Sequence, residues 1–199
     1  MASNQGEEVP LKSWPERLFV ALARILHCLA PSTYLPRRFC GYKPLDIYVA
    51  LFTIALTALL IFWKEAGRFA FVCALYRAYD IFQYRFHFIF VKSKTEPWDP
   101  NNIRHHLGYA FVNLYEIVAA YAILYLSLEA VCHGNPPQSM NQFVTAFYYS
   151  LVTMMTVGYG DYTPCDWSGQ IIVIAQLATS FFLLAFIIPG LVSLFTAKK

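Results

Sequence analysis

The most constraining feature of this chain is an apolar stretch too short to cross a membrane. Residues 140–155 read Met-Asn-Gln-Phe-Val-Thr-Ala-Phe-Tyr-Tyr-Ser-Leu-Val-Thr-Met-Met and give way to Thr156-Val157-Gly158-Tyr159-Gly160-Asp161. As a helix these residues rise ~24 Å, less than the ~30 Å hydrocarbon core of a bilayer. Asn135-Pro136-Pro137, a helix-starting break, precedes them, and a glycine-containing turn follows. Longer apolar runs lie on either side. That arrangement describes a half-helix that enters a membrane without crossing it. Irregular backbone at such depth is tolerated only where it is buried in protein or lines a water-filled cavity. The Thr-Val-Gly-Tyr-Gly segment therefore has to line something.

Composition makes the membrane the natural solvent. Of 199 residues, 58% are hydrophobic and 14% charged, with a mean hydropathy of +0.45. Soluble domains carry about a quarter of their residues as Asp, Glu, Lys or Arg. A soluble globule, a disordered chain and a soluble α/β enzyme are thereby excluded. At ~20 residues per span, the length allows about four spans and no separate soluble domain. The five cysteines show no metal-binding or redox spacing. The opening MASNQGEEVP is acidic and polar, unlike a signal peptide.

The apolar runs place the spans at Ile47–Trp63, Phe69–Val91, Leu107–Val131 and Ile171–Thr196, with a turn at Lys64–Arg68 between the first two. Ser13 and Glu16 form a capping box ahead of Leu18–Ala30, which sets Leu18, Leu22, Ile25 and Leu29 on one face. Too short to span, this segment reads as an interfacial helix on the membrane surface, with packing on the cytosolic side of the bundle as the alternative. The fold class is an all-α membrane protein: four transmembrane helices, a re-entrant pore helix and loop between the third and fourth, and the N-terminal interfacial helix. Three regions follow, 1–43, 44–104 and 105–199.

Lysine and arginine placement sets the orientation. Residues 1–43 carry six, the 92–106 loop three and the C-terminal end two, all on one side of a four-span topology. The other side has Lys64 and Arg68, with none in 132–170. Both termini are expected in the cytosol, in a multi-pass protein of the plasma membrane.

The residue types of the re-entrant segment suit a cation stripped of water. Stacked backbone carbonyls replace a hydration shell, and aiming them at one axis requires alternating backbone conformations, some with φ above zero. Gly158 and Gly160 adopt these without steric cost. Thr156 adds a hydroxyl at the inner end, and Tyr159 is expected to pack on Tyr148 and Tyr149, holding the loop open. The half-helix turns its negative C-terminal end toward the cation.

With these residues the chain resembles the potassium channels, whose filter signature is Thr-Val-Gly-Tyr-Gly. The resemblance spans roughly residues 105–199 and does not extend to 1–104. It implies a homotetramer in the lipid bilayer, passive conduction of K+, and coordination by the carbonyls of Thr156, Val157, Gly158 and Tyr159, with Gly160 completing the turn. No enzyme activity, nucleic acid or small-molecule substrate is implied. Met155 replaces the family's frequent second threonine, and Val152 occupies the position where some bacterial members carry a glutamate. Two alternatives are a silent or regulatory pore-domain subunit of a hetero-oligomeric channel and a potassium transporter subunit. An intact filter argues against the first and a single filter per chain against the second.

Other residues suggest gating and stabilising roles. Glu129, Asp161 and Asp166 supply acids and no bases to an outer vestibule, where they would concentrate cations. Ser180 lies near the family's mid-helix glycine hinge, and Pro189-Gly190 is the stronger candidate hinge. Cys132 and Cys165 bracket the filter; they pair in an oxidising outer compartment and otherwise remain thiols. Inward rectifiers carry a similar bracketing pair. In the second span, Arg77, Asp80, Tyr84 and His87 share a face. Arg85 lies near the depth of Glu116, which suggests an ion pair between them.

Overall fold

The computed structural model of the protein describes residues 14–28, 44–87, 90, 100–133, 138–139 and 142–196. The fold is mostly helical. In chain order the helices are α1 (Trp14–Cys28), α2 (Pro44–Ile61), α3 (Trp63–His87), α4 (Pro100–Ser127), α5 (Phe143–Met154) and α6 (Trp167–Thr196). By length and composition, Leu107–Ser127 of α4 and Trp167–Pro189 of α6 can each cross a membrane.

Helix α4 is the hub. Every residue from Glu116 to Leu126 is buried, because α2, α3, α5 and α6 all pack on it. Small residues make this possible: Ala119, Ala120 and Ala122 let neighbouring backbones approach, while Ile117, Ile123 and Leu126 fill the spaces. Side-chain contacts give the helix directions. Tyr48 of α2 reaches both Tyr76 and Asp80 of α3, so these two helices form an antiparallel hairpin. Tyr121 meets Thr179 and Tyr125 meets Gln176, so α6 runs antiparallel to α4. The turn between α2 and α3 is more compact than the sequence predicts. A helical turn from Trp63 to Ala66 sits between a break at Phe62 and one at Gly67, whose φ of 48° interrupts α3.

A buried polar cluster fastens the α2–α3 hairpin to α4. Arg77 bonds Asp80 (2.7 Å) and Glu116 (2.5 Å), and its guanidinium lies 5.1 Å from the rings of both Tyr48 and Phe52. Thr53 donates to Glu116 (2.9 Å). With its amide oriented to suit both neighbours, Asn113 donates to Glu116 and accepts from Arg85 Nη2 at 2.8 Å. The expected Arg85–Glu116 pair is thus corrected: Arg77 contacts the carboxylate and Arg85 reaches it through Asn113. Depth along a helix axis is a poor guide here, since a guanidinium reaches more than a helical turn from its own Cα.

Helix α1 packs on the bundle, the alternative to an interfacial helix. Phe19 stacks on Phe90 and contacts Phe86, while the Leu26 carbonyl accepts from Tyr79. Helix α1 therefore lies antiparallel along α3, with Val20 and Ala23 in the contact. Leu18, Leu22 and Ile25 point away and stay exposed. The most apolar face of α1 is its outer one, which hydropathy alone assigns to whatever it contacts. Ser13 and Leu29 lie outside the described residues, and of Glu16 only the backbone is described.

A short sheet interrupts the all-helical expectation. Helix α4 stops at Ser127, and Glu129 takes a φ of 48°, reversing the chain. Val131, expected to end the third span, instead begins strand β1 (Val131–His133). This strand pairs antiparallel with β2 (Gln138–Ser139) and with β3 (Thr163–Pro164), giving the order β2-β1-β3.

Candidate functional site

The site is assembled by the end of α5 and the backbone that follows. Three N–H groups close the helix: Met155 to the Leu151 carbonyl, Thr156 to Thr153 and Val157 to Val152, each at 3.0 Å. With Thr156 at a φ of 55°, the last two bonds are those of a Schellman cap. Glycine ordinarily fills that left-handed position, and a β-branched residue there costs roughly 1–2 kcal/mol. Gly158 (φ 58°) and Gly160 (φ 76°) continue the pattern, so positive φ recurs at every second residue. Val157 and Tyr159, between them, do not share the positive φ. The sequence points to both glycines. Thr156 as a third left-handed residue is not legible from it, because threonine rarely adopts that conformation.

Residues 155–161 are all exposed in the single chain, including Val157 at 51% and Tyr159 at 70%. In the single chain the contacts of Tyr148 and Tyr149 lie elsewhere. The Tyr149 ring is buried edge-on to Tyr125 at 5.0 Å, and the Tyr148 hydroxyl donates to Asp161 Oδ2 at 2.8 Å. Tyr148 therefore braces the loop through Asp161, beyond the glycines. Tyr149, about 100° around α5 from Tyr148, anchors the helix to α4.

A polar knot holds α5 in place from behind. Gln176 of α6 donates from Nε2 to the Ser150 carbonyl (2.7 Å) and hydroxyl (2.9 Å), and its Oε1 accepts from Tyr125 (2.7 Å). Ser150 in turn donates to the Val118 carbonyl (2.8 Å). Gln176, Ser150 and Tyr125 are fully buried, and each of α4, α5 and α6 supplies one of them. Three polar residues within apolar helices are the signal that would have pointed here.

The loop is collared by the sheet. Cys132 of β1 and Cys165, just beyond β3, form a disulfide. The Cys165 N–H donates to the Ala130 carbonyl at 3.0 Å. Gly169 is required at this crossing, since a Cβ there would collide with the same carbonyl. His133 places Nδ1 2.7 Å from the Asp161 carbonyl, with its ring 4.9 Å from that of Tyr162. A carbonyl only accepts, so His133 is the donor. Asp161 is thus held twice, by Tyr148 through its carboxylate and by His133 through its backbone.

The three acids of the expected vestibule have different surroundings. Asp161 is exposed beside the loop, and Glu129 is exposed in the turn after α4. Asp166 caps α6: its Oδ1 accepts from the Ser168 hydroxyl (2.7 Å) and the Gly169 N–H (2.9 Å). The Ser168 hydroxyl bond, then the Gly169 N–H, hold its pKa below the ordinary carboxylate value. This cap starts α6 at Trp167, four residues ahead of the expected Ile171. Farther along α6, Ser180 is buried and donates to the Gln176 carbonyl (2.8 Å), and the helix continues through Pro189 and Gly190 to Thr196.

Comparison with known proteins bears on this half of the chain. An ion-channel family model matches residues 110–197. A two-pore potassium channel 4 of Arabidopsis thaliana is 42% identical over 53 residues, covering 27% of this chain and 19% of the relative. A potassium channel protein 1 of Methanocaldococcus jannaschii is likewise 42% identical over 53 residues, covering 27% and 16%. A human potassium channel subfamily T member 1 is 36% identical over 56 residues, covering 28% and 5%. The chain thus spans a fifth or less of the length of these relatives. No solved structure matches it. Residues 110–197 are thus similar to the ion-channel family, and the relatives matched are named as potassium channels.

Proposed function

We propose that four copies of this chain assemble around one axis into a pore that conducts K+ passively and selectively. The observation that carries this reading is the backbone of residues 156–160, where positive φ at Thr156, Gly158 and Gly160 alternates with negative φ at Val157 and Tyr159. Such a strand presents a column of carbonyls, and four columns make sites that replace a hydration shell. In this reading the carbonyls of Thr156, Val157, Gly158 and Tyr159 coordinate the ion, and Gly160 completes the filter turn.

Exposure supports the assembly. Val157 and Tyr159 stand free in the single chain, as do Ile171, Ile174, Leu177 and Phe181 on α6. Helices α2 and α3 then form a peripheral pair and α4 to α6 the pore domain, with α2, α3, α4 and α6 as four spans and α5 as the re-entrant helix. The alternating directions of the helices and the lysine and arginine distribution favour cytosolic termini in a plasma membrane. Helix α1, alongside α3, lies in the inner leaflet with Leu18, Leu22 and Ile25 toward lipid. Asp161, Asp166 and Glu129 line the outer mouth, and Ser180, Pro189 and Gly190 lie where α6 would bend.

The purified chain in liposomes tests this reading. Barium-sensitive K+ flux from protein of tetrameric mass is expected. Tetramers without flux would favour a silent subunit.

A further inference from the structure

In the membrane placement proposed above, on which this inference rests, the α2–α3 turn and the end of α4 meet at the outer interface. A cavity of ≈ 410 Å³ opens between them. We propose that it binds the anionic headgroup of a phospholipid.

The cavity is edged by two cations, Lys64 and Arg68, both exposed. They are the sole lysine and arginine between residues 44 and 76. Among the described residues neither forms an ion pair. The Lys64 ammonium lies 5.7 Å from the centre of the Trp63 ring, which also borders the cavity. Glu65, the adjacent acid, does not line this cavity; it borders a neighbouring one, with Phe143 and Val144 at the start of α5, which Trp63 and Lys64 also edge.

The remaining walls match the rest of such a ligand. Ser127 presents a hydroxyl donor from the end of α4. Gly67 lies on the rim, so the helix that restarts after it brings its positive end to the same place. Phe71 and Leu128 supply apolar surface for the top of an acyl chain. An indole at this level is the usual anchor of a membrane–water interface. Two cations, a hydroxyl and a helix start suit a phosphate, and two positive charges favour a headgroup with net negative charge.

Native mass spectrometry of the whole chain in detergent tests this, with equal amounts of dioleoyl-phosphatidylglycerol and dioleoyl-phosphatidylcholine added. The proposal expects at least fivefold preferential retention of phosphatidylglycerol. The double substitution Lys64→Gln/Arg68→Gln removes that preference, the swap Lys64→Arg/Arg68→Lys keeps it, and millimolar inorganic phosphate leaves it unchanged. Equal retention of both lipids, an unaltered preference in the glutamine variant, or displacement by inorganic phosphate overturns it. Circular dichroism confirms that the variants fold. K+ flux in phosphatidylcholine liposomes, measured on the same preparations, reports on the pore reading separately: flux without lipid preference removes the lipid site alone.

Discussion

Arg77 Nη2 lies 2.5 Å from Glu116 Oε2, joining α3 to the buried centre of α4. Both side chains are almost wholly enclosed, and Asp80 is the second carboxylate on the same guanidinium. Taking such groups out of water is costly, so the cluster holds only while its charges match. Removing one partner strands the other. Arg77→Met therefore destabilises the protein by roughly 3–5 kcal/mol, because it removes the guanidinium that Asp80 and Glu116 share. Glu116→Gln costs less, since Asp80 remains. Thermal unfolding in detergent of both single variants and the double variant checks this: the double should be more stable than the sum of the singles implies.

The Gln176–Ser150–Tyr125 knot predicts a second stability effect. Gln176→Leu leaves the Tyr125 hydroxyl and the Ser150 carbonyl buried without this partner. At ~1–3 kcal/mol per unsatisfied group, the loss should be roughly 2–6 kcal/mol. Chemical unfolding measures it, and hydrogen exchange in residues 143–154 should rise more than exchange elsewhere.

Tyr148 and Asp161 predict a local effect. Tyr148→Phe removes the bond to the carboxylate but leaves the ring. Amide exchange across residues 157–162 should accelerate several-fold, while the global unfolding midpoint barely moves. Unchanged exchange in that segment would show that the bond does not brace the loop.

Acid should weaken the start of α6. The Asp166 pKa is lowered in the folded chain, chiefly by the Ser168 hydroxyl bond. The stabilisation it supplies is therefore complete above the unfolded-state pKa, ~3.9. It is lost as pH falls through the lower folded value. Asp166→Ala should lower the melting temperature at pH 7 and show a smaller further drop on acidification than the parent. Asp166→Ser, which keeps an N-cap acceptor, should recover most of the loss at pH 7.

The Cys132–Cys165 disulfide closes a sequence separation of 33. Closing a loop of that length constrains the unfolded chain by about 3–4 kcal/mol in the loop-entropy model. Reduction, or Cys132→Ser with Cys165→Ser, should lower the melting temperature and loosen the sheet around Asp161. Alkylation before and after reduction, read by mass, confirms which thiols were released.

Much of the fold is legible in hydropathy and spacing. Apolar runs locate α2, α4 and α6, and the short run between glycine turns and Pro136-Pro137 locates α5. Local signals fail where a contact decides. Glu129 ends α4 through a reversed backbone, and β1 exists because Val131 and Cys132 find partners in residues 163–164. Composition reveals neither. At the site, Gly158 and Gly160 announce their conformations through their lack of a side chain. Thr156 does not, because its left-handed φ is imposed by the cap of α5. His133 is invisible for the same reason: its role comes from the Asp161 carbonyl, which only the fold brings to it.

K+ selectivity is the property proposed for the backbone of residues 156–160. Its most direct test is the K+ to Na+ flux ratio of reconstituted tetramers, for the parent chain and for Gly158→Ala. A Cβ at a φ of 58° is strained whatever space surrounds it, so the substitution disturbs the carbonyl column itself. The parent should pass K+ at least tenfold faster than Na+, and Gly158→Ala should abolish either conduction or that preference. A folded, tetrameric Gly158→Ala protein that retains both would contradict the account.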